Sequence, residues 1–273
     1  MPTARRIAWA CHGLLAVTIL FLLSPAVDIA VSGLFHDPAR GFELIGVGWA
    51  EGVRHALWRL SILMVLVSAL WPLLALWSRR GWAPGPLGRL LGAKGGAIWA
   101  RFAAGPGVRA GRVLRAIPGR VWGFSAALFL LGPGLLVNVI LKEYWGRERP
   151  TGIEAFGGAH PYTPPFQIPG SCAHNCSFVS GEGSGSMATA LVFVAIASHL
   201  PRGASVALMA AGAVVAVLGG GLRVAMGGHF LSDVLIGAIL TYILAEALAR
   251  PILGAPLAYR ATAPRQPAPT ATI

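Results

Sequence analysis

Apolar positions in this 273-residue chain do not recur at the spacing of a surface helix or alternate as in a half-buried strand; they come in long runs. The runs cover roughly 7–33, 56–77, 122–142, 183–199, 204–222 and 230–250, each near the ~20 residues a helix needs to cross hydrocarbon. A helix satisfies its own backbone there, and no ten-residue alternating pattern points to a barrel. The pattern predicts an all-α polytopic membrane protein: a bundle of six transmembrane helices forming one domain over 1–250. Arg5 and Arg6 ahead of an apolar run also begin a secretory signal. The first run, however, continues past Pro25 to about Phe35, beyond the ~7–15 apolar residues of a signal, and is read as a span.

Composition sharpens this. With 55% hydrophobic and 12% charged residues and a mean hydropathy of +0.67, the chain lacks the polar surface to coat a water-soluble globule. A net charge of +12 raises nucleic-acid binding as a rival. The distribution answers it. With the N-terminus in the cytoplasm, fifteen of the 22 Lys and Arg residues fall on inner segments, nine of them between Arg79 and Arg120, as the positive-inside rule requires. The expected partner is therefore the lipid bilayer and not nucleic acid. Within the basic inner loop, 78–121, Arg109, Arg112 and Arg115 share one helical face and Val113, Leu114 and Ile117 the other, which predicts a short interfacial helix. Residues 251–273, ending RQPAPTATI, read as a disordered cytoplasmic tail.

Three polar clusters interrupt the apolar pattern. Lys142 ends the third run in KEYWGRERP, which also holds Arg147 and Arg149. HNCSFVSGEGSGS leads into the fourth. GLRVAMGGHFLSDVL joins the fifth and sixth and contains Arg223, His229 and Asp233. On the predicted topology all three lie at one outer surface, and ionisable groups at such depth are costly unless they serve function. Lys142, Arg149 and Arg223 supply N–H donors around a tetrahedral anion. Ser180 and Gly181, at a helix start, add unpaired backbone N–H groups aimed at the same place. His229 and Asp233 are four apart, so on a helix they share a face; the carboxylate would fix the imidazole tautomer and favour its charged form. A histidine so held beside a phosphate cradle is best read as a nucleophile.

These residues resemble the type 2 phosphatidic acid phosphatase superfamily. Lysine, six residues, Arg-Pro (Lys142 to Pro150); Ser-Gly at a helix start (Ser180, Gly181); and arginine, five residues, histidine, three residues, aspartate (Arg223, His229, Asp233) are similar to its three signatures, over a core of 122–250. The resemblance implies an integral membrane phosphatase without metal or other cofactor. His229 would attack phosphorus to form a phosphohistidine, supported by Asp233. Lys142, Arg149, Arg223, Ser180 and Gly181 would bind the phosphate oxygens.

One position departs from the family. Its central element reads Pro-Ser-Gly-His, and that histidine protonates the leaving oxygen; here Val179-Ser180-Gly181-Glu182 stands instead. Either Glu182, kept partly protonated by burial, or His174 in the same loop takes the role, or the protein is inactive. Cys172 and Cys176, four apart in an outer loop, are read as a disulfide in an oxidising periplasm, with free thiols or metal ligation alongside His174 as alternatives. Arg147 and Glu148 are read as pairing with each other or with lipid headgroups, with substrate contact by Arg147 as the lesser reading. The Glu-for-His exchange and the loop cysteines are similar to bacterial lipid A 1-phosphatase-like members, which implies an inner-membrane protein with a periplasm-facing site. Lipid A 1-phosphate is the expected substrate, with undecaprenyl pyrophosphate, phosphatidylglycerophosphate and a lipid phosphotransferase reaction as alternatives. An anion transporter, the non-enzymatic rival, predicts charges within the spans, whereas these midspans are plain.

Overall fold

The computed structural model describes residues 2–79 and 117–257, and only the backbone of 72–79. Within them lie seven helices: α1 (Thr3–Leu23), α2 (Ala26–Gly33), α3 (Gly48–Arg79), α4 (Gly119–Tyr144), α5 (Gly181–Ala197), α6 (Arg202–Ala225) and α7 (Leu231–Leu253). Two-residue strands His36–Asp37 and Gly41–Phe42 form a small hairpin between α2 and α3. The interfacial helix expected at Arg109–Arg115 and the tail beyond Leu257 lie outside the described residues.

Among the described residues, five helices are long and apolar enough to cross a membrane: α1, α3 over Gly48–Trp71, α4, α6 and α7. The multi-pass helical architecture matches the pattern, but the count of six does not follow, because α5 has only 17 residues. It is the central element, wrapped by α3, α4, α6 and α7, and its small side chains let its neighbours approach. A Cβ on Gly212 of α6 would stand 3.2 Å from the Ala190 Cα of α5, and one on Gly219 would overlap the Ser186 side chain. Small residues at such crossings bring backbones close where lipid gives no hydrophobic drive to association.

Two prolines shape the bundle. The expected first span, 7–33, breaks at Ser24-Pro25 into α1 and α2, since proline brings no N–H and its ring clashes with the preceding turn. The break turns Asp28 of α2 inward, where it is fully buried. In α4, Pro133 sits inside a π-helical stretch, Leu130–Leu141, whose wider turn relieves the ring's clash with the Phe129 carbonyl. Asn138 donates from Nδ2 to the Pro133 carbonyl at 2.6 Å, satisfying an acceptor in the widened turn.

The largest core cluster joins Trp122, Phe124 and Leu128 of α4, Val192 and Ile196 of α5, and Ala245 and Ala249 of α7. Outward-facing side chains are themselves apolar, among them Leu23, Leu66, Leu130 and Val217, as a lipid-facing surface demands. The chain directions place the C-terminal end of α4, the N-terminal ends of α3, α5 and α7, and the C-terminal end of α6 at one end of the bundle. Arg6 of α1 marks the other end, where it donates to Glu246 near the end of α7 at 3.2 Å.

Candidate active site

The polar clusters separated along the sequence meet at that first end. Lys142 closes α4, only 9% exposed, and its neighbour across the gap is the start of α5: a Cβ on Gly181 would lie 3.4 Å from the lysine Cε. Ser180 is the N-cap of α5, and its Oγ accepts the Gly183 N–H at 3.1 Å. Gly181 and Glu182 occupy the first turn, where a helix has no internal acceptor for their N–H groups. Arg223 ends α6, and its guanidinium packs closely on Gly228, where a Cβ would displace it. The Gly228 and His229 N–H groups return to the Arg223 carbonyl at 2.9 and 3.1 Å, fixing the reversal between α6 and α7.

His229 lies in that reversal, 1% exposed, just ahead of the N-cap of α7 rather than on the helix. This changes the pairing expected from its spacing to Asp233. Nδ1 is 3.9 Å from the Asp233 carboxylate, too far for a hydrogen bond, but 2.7 Å from the Ser177 carbonyl. A carbonyl only accepts, so Nδ1 carries the proton and donates, and Nε2 is left with its lone pair. Burial first, and then the charges of Lys142, Arg223 and Arg149, push His229 well below the ordinary histidine range. Both features favour a neutral imidazole, not the charged form that the sequence reading expected. Asp233 acts one step removed: its carboxylate accepts from the Ser177 hydroxyl at 2.6 Å, from the Phe230 N–H at 2.9 Å, and from Arg147.

The segment from 142 to 177 folds back on itself to complete the site. The Cys172, Cys176 and Ser177 N–H groups donate to the carbonyls of Gly146, Lys142 and Arg147 at 3.1, 3.1 and 2.8 Å. Gly146 must be glycine, because its φ is +71° and a Cβ would meet Gly170 at 3.0 Å. Cys172 and Cys176 are joined as a disulfide. The short loop it closes presents Asn175, in the left-handed conformation at φ 51°, to two cations. Its Oδ1 accepts from Lys142 Nζ at 3.0 Å and its carbonyl from Arg149 Nη2 at 2.8 Å.

Three expectations need correction. His174 does not reach the site: its side chain is 84% exposed and pairs with Glu143 at 3.1 Å on the rim. Glu182 does not stand free as expected of an acid: both its oxygens accept from the Arg54 guanidinium at 2.9 to 3.1 Å, with Arg223 Nε at 3.8 Å. Arg147 pairs neither with Glu148 nor with headgroups; it is fully buried, its Cζ 4.5 Å from the centre of the Phe230 ring, between Asp28 and Asp233.

Sequence reading also missed Arg54, Asp28, Asn175 and Ser177. Arg54 and Asp28 come from α3 and α2, which carry no signature. Asn175 left one trace, a residue tolerant of positive φ between two cysteines. Beside the cations a cavity of about 430 Å³ opens between α3, α4, α5 and α6. Arg54, Asn138, Lys142 and Glu182 line its polar end, and Ile62, Val65, Phe129 and Leu130 its apolar end.

Comparison with known proteins bears on this arrangement. Residues 121–252 match the PAP2 superfamily. A lipid A 4'-phosphatase of Francisella tularensis subsp. novicida is 48% identical over 61 residues, which is 22% of this chain and 28% of that protein. One of Rhizobium etli is 58% identical over 53 residues, 19% of this chain and 21% of that one. The matches thus span about a quarter of those relatives' length. A crystal structure of a transmembrane PAP2-type phosphatidylglycerolphosphate phosphatase from Bacillus subtilis covers 89% of this chain and 93% of its own, at 19% identity and a TM-score of 0.45. The chain thus carries a PAP2 superfamily domain, which runs from residue 121 to residue 252.

Proposed function

We propose that this protein removes a phosphate from a membrane lipid through a covalent phosphohistidine on His229. The observation that carries the reading is the tautomer of His229. With its Nδ1–H given to the Ser177 carbonyl, Nε2 is the free nucleophile, in a pocket where Lys142, Arg149 and Arg223 all act on the ring. These three cations neutralise the non-bridging oxygens as charge spreads over them, and the N–H groups at the start of α5 add a helix terminus to the same cradle. Nε2 forms its bond to phosphorus as the P–O bond to the lipid alcohol breaks, and the leaving oxygen takes its proton from water. The hydroxide so formed then attacks phosphorus and breaks the N–P bond, releasing inorganic phosphate and restoring the neutral imidazole.

The polar-to-apolar gradient of the cavity beside Lys142 supports a substrate with its phosphate at the interface and its chains in lipid. The relatives are named for the 4'-phosphate of lipid A, so that phosphate, rather than the 1-phosphate expected from the sequence, is the proposed target. The basic inner segments support a site on the periplasmic side of a bacterial inner membrane. The test is purified protein in detergent with lipid A, following released phosphate and lipid mass together. Loss of one phosphate from the 4' position, abolished at least a thousandfold by His229→Ala, is the expected result. Unchanged turnover in that variant, or intact lipid A with the wild type, overturns it.

A further inference from the structure

Asp28 has no part in the chemistry above, yet it is fully buried and every contact it makes is with a donor. Oδ1 accepts the Ser232 N–H at 2.9 Å. Oδ2 accepts from Arg147 Nη2 and Tyr162 Oη, each at 3.0 Å, and from the Ser232 hydroxyl. Asp233 likewise meets only donors: Arg147, the Ser177 hydroxyl and the Phe230 N–H. Both carboxyls meet the same guanidinium, Asp28 at Nη2 and Asp233 at Nη1. One guanidinium thus stands between two carboxyl groups, and with both ionised the buried triad carries one net negative charge.

We infer that Asp28 is a positioning residue for His229, acting through Arg147, Asp233 and Ser177 to hold the imidazole and to place that negative charge behind it. The inference rests on the phosphohistidine reading. A neutral Arg147–Asp233 pair would suffice to fix Ser177, and buried charge is expensive to keep. The additional carboxylate has a use only if positive charge develops nearby. That is what happens when Nε2 bonds to phosphorus: Nδ1 keeps its proton and the ring becomes cationic. Lys142 of α4, Arg149 of the following loop, Arg223 of α6 and, beyond it, Arg54 of α3 oppose this charge, while Glu182 of α5 offsets Arg54 and Arg223. Asp233 of α7 and, through Arg147, Asp28 of α2 supply the compensating charge on the Nδ1 side. The N-terminal helices, outside the superfamily domain, thereby contribute to the nucleophile's reactivity.

The test is the pH dependence of kcat/KM for wild type, Asp28→Asn and Asp28→Glu. Losing a negative charge makes the imidazolium harder to form, so the acid limb set by His229 moves to lower pH. At an effective dielectric of about 20, a unit charge on the order of 10 Å from a titrating group shifts it by about one pH unit. The Asn variant is expected to show this shift with kcat about tenfold lower and KM nearly unchanged; the Glu variant keeps the wild-type limb whatever its rate. Equal losses in both variants with an unmoved limb would reduce Asp28 to packing and overturn the inference. Should Asp28→Asn not be recovered folded, Tyr162→Phe decides: its ring is only half buried and its hydroxyl serves Asp28, so a severalfold lower kcat is expected and an unchanged kcat overturns the inference. Activity retained by His229→Ala would instead defeat the phosphohistidine reading itself, which separates the two failures.

Discussion

Glu182 occupies the position where the superfamily's signature carries a histidine, and its contacts give it different work. Both carboxylate oxygens are taken by Arg54, which also reaches Glu51 at 2.9 Å, and the same carboxylate faces Arg223. Glu182 thus sits among cations at the mouth of the cavity, an arrangement that favours ion pairing over proton donation. The distinction can be measured by varying the leaving group. An acid matters when the departing alcohol is poor and hardly at all when it is an activated phenol. Glu182→Gln should therefore slow turnover of a lipid phosphate and of p-nitrophenyl phosphate by the same factor, about tenfold; a loss confined to the lipid phosphate would restore the acid role. The lesson about legibility lies in which partners were visible. Lys142, Arg223 and His229 could be grouped from sequence because each stands where an apolar run stops, and run ends can be counted. Arg54 could not be grouped, because it meets Glu182 across 128 residues by packing of two helices, and no local spacing encodes that. The His229–Asp233 separation of four was readable too, but it misled: the helix begins only at Leu231, so the histidine is not on the face that the aspartate shares.

At the level of elements, the apolar runs located the long helices but not their interruptions. Pro25 and Pro133 are plain in the sequence, yet whether a proline breaks a helix or widens it depends on what fills the opened turn. At Pro25 the chain kinks and buries Asp28; at Pro133 the Asn138 amide occupies the gap and the helix goes on. The disulfide loop is the element with the most direct bearing on the cations. Its two cysteine N–H groups are tied to Lys142 at the end of α4 and to Gly146 just beyond it, and Asn175 at its tip accepts from both Lys142 and Arg149. Closing a short loop mainly restricts its unpaired conformations. Opening this one should accordingly loosen the phosphate-binding cations rather than unfold the bundle. Replacing both cysteines by serine is expected to raise KM about tenfold with kcat changed less than threefold, and Asn175→Ala should reproduce that pattern. A double variant with wild-type KM would show that the bridge has no part in setting the cradle.

The molecule as a whole is polarised along its length: the charged residues that define the site are gathered at one end, and an apolar groove descends from them between α3, α4, α5 and α6. That geometry divides a lipid substrate into a part that reacts and a part that anchors, and the two should be separable by mutation. Ser61 of α3 lines the groove below the polar end, and its hydroxyl stands 3.3 Å from that of Thr189 on α5. A phenylalanine there would fill groove volume without reaching the cations. Remote binding energy serves to seat the scissile group, so a blocked groove costs a long-chain substrate far more than one that has no chain to place. Ser61→Phe is thus expected to lower kcat/KM for a long-chain lipid phosphate at least tenfold while leaving a short, water-soluble phosphate monoester within about twofold of wild type. Melting in detergent, measured alongside, identifies any general loss of fold. Equal losses on both substrates in a stably folded variant would mean that the chains lie elsewhere on the bundle, and that the cavity serves the helices' packing rather than the lipid.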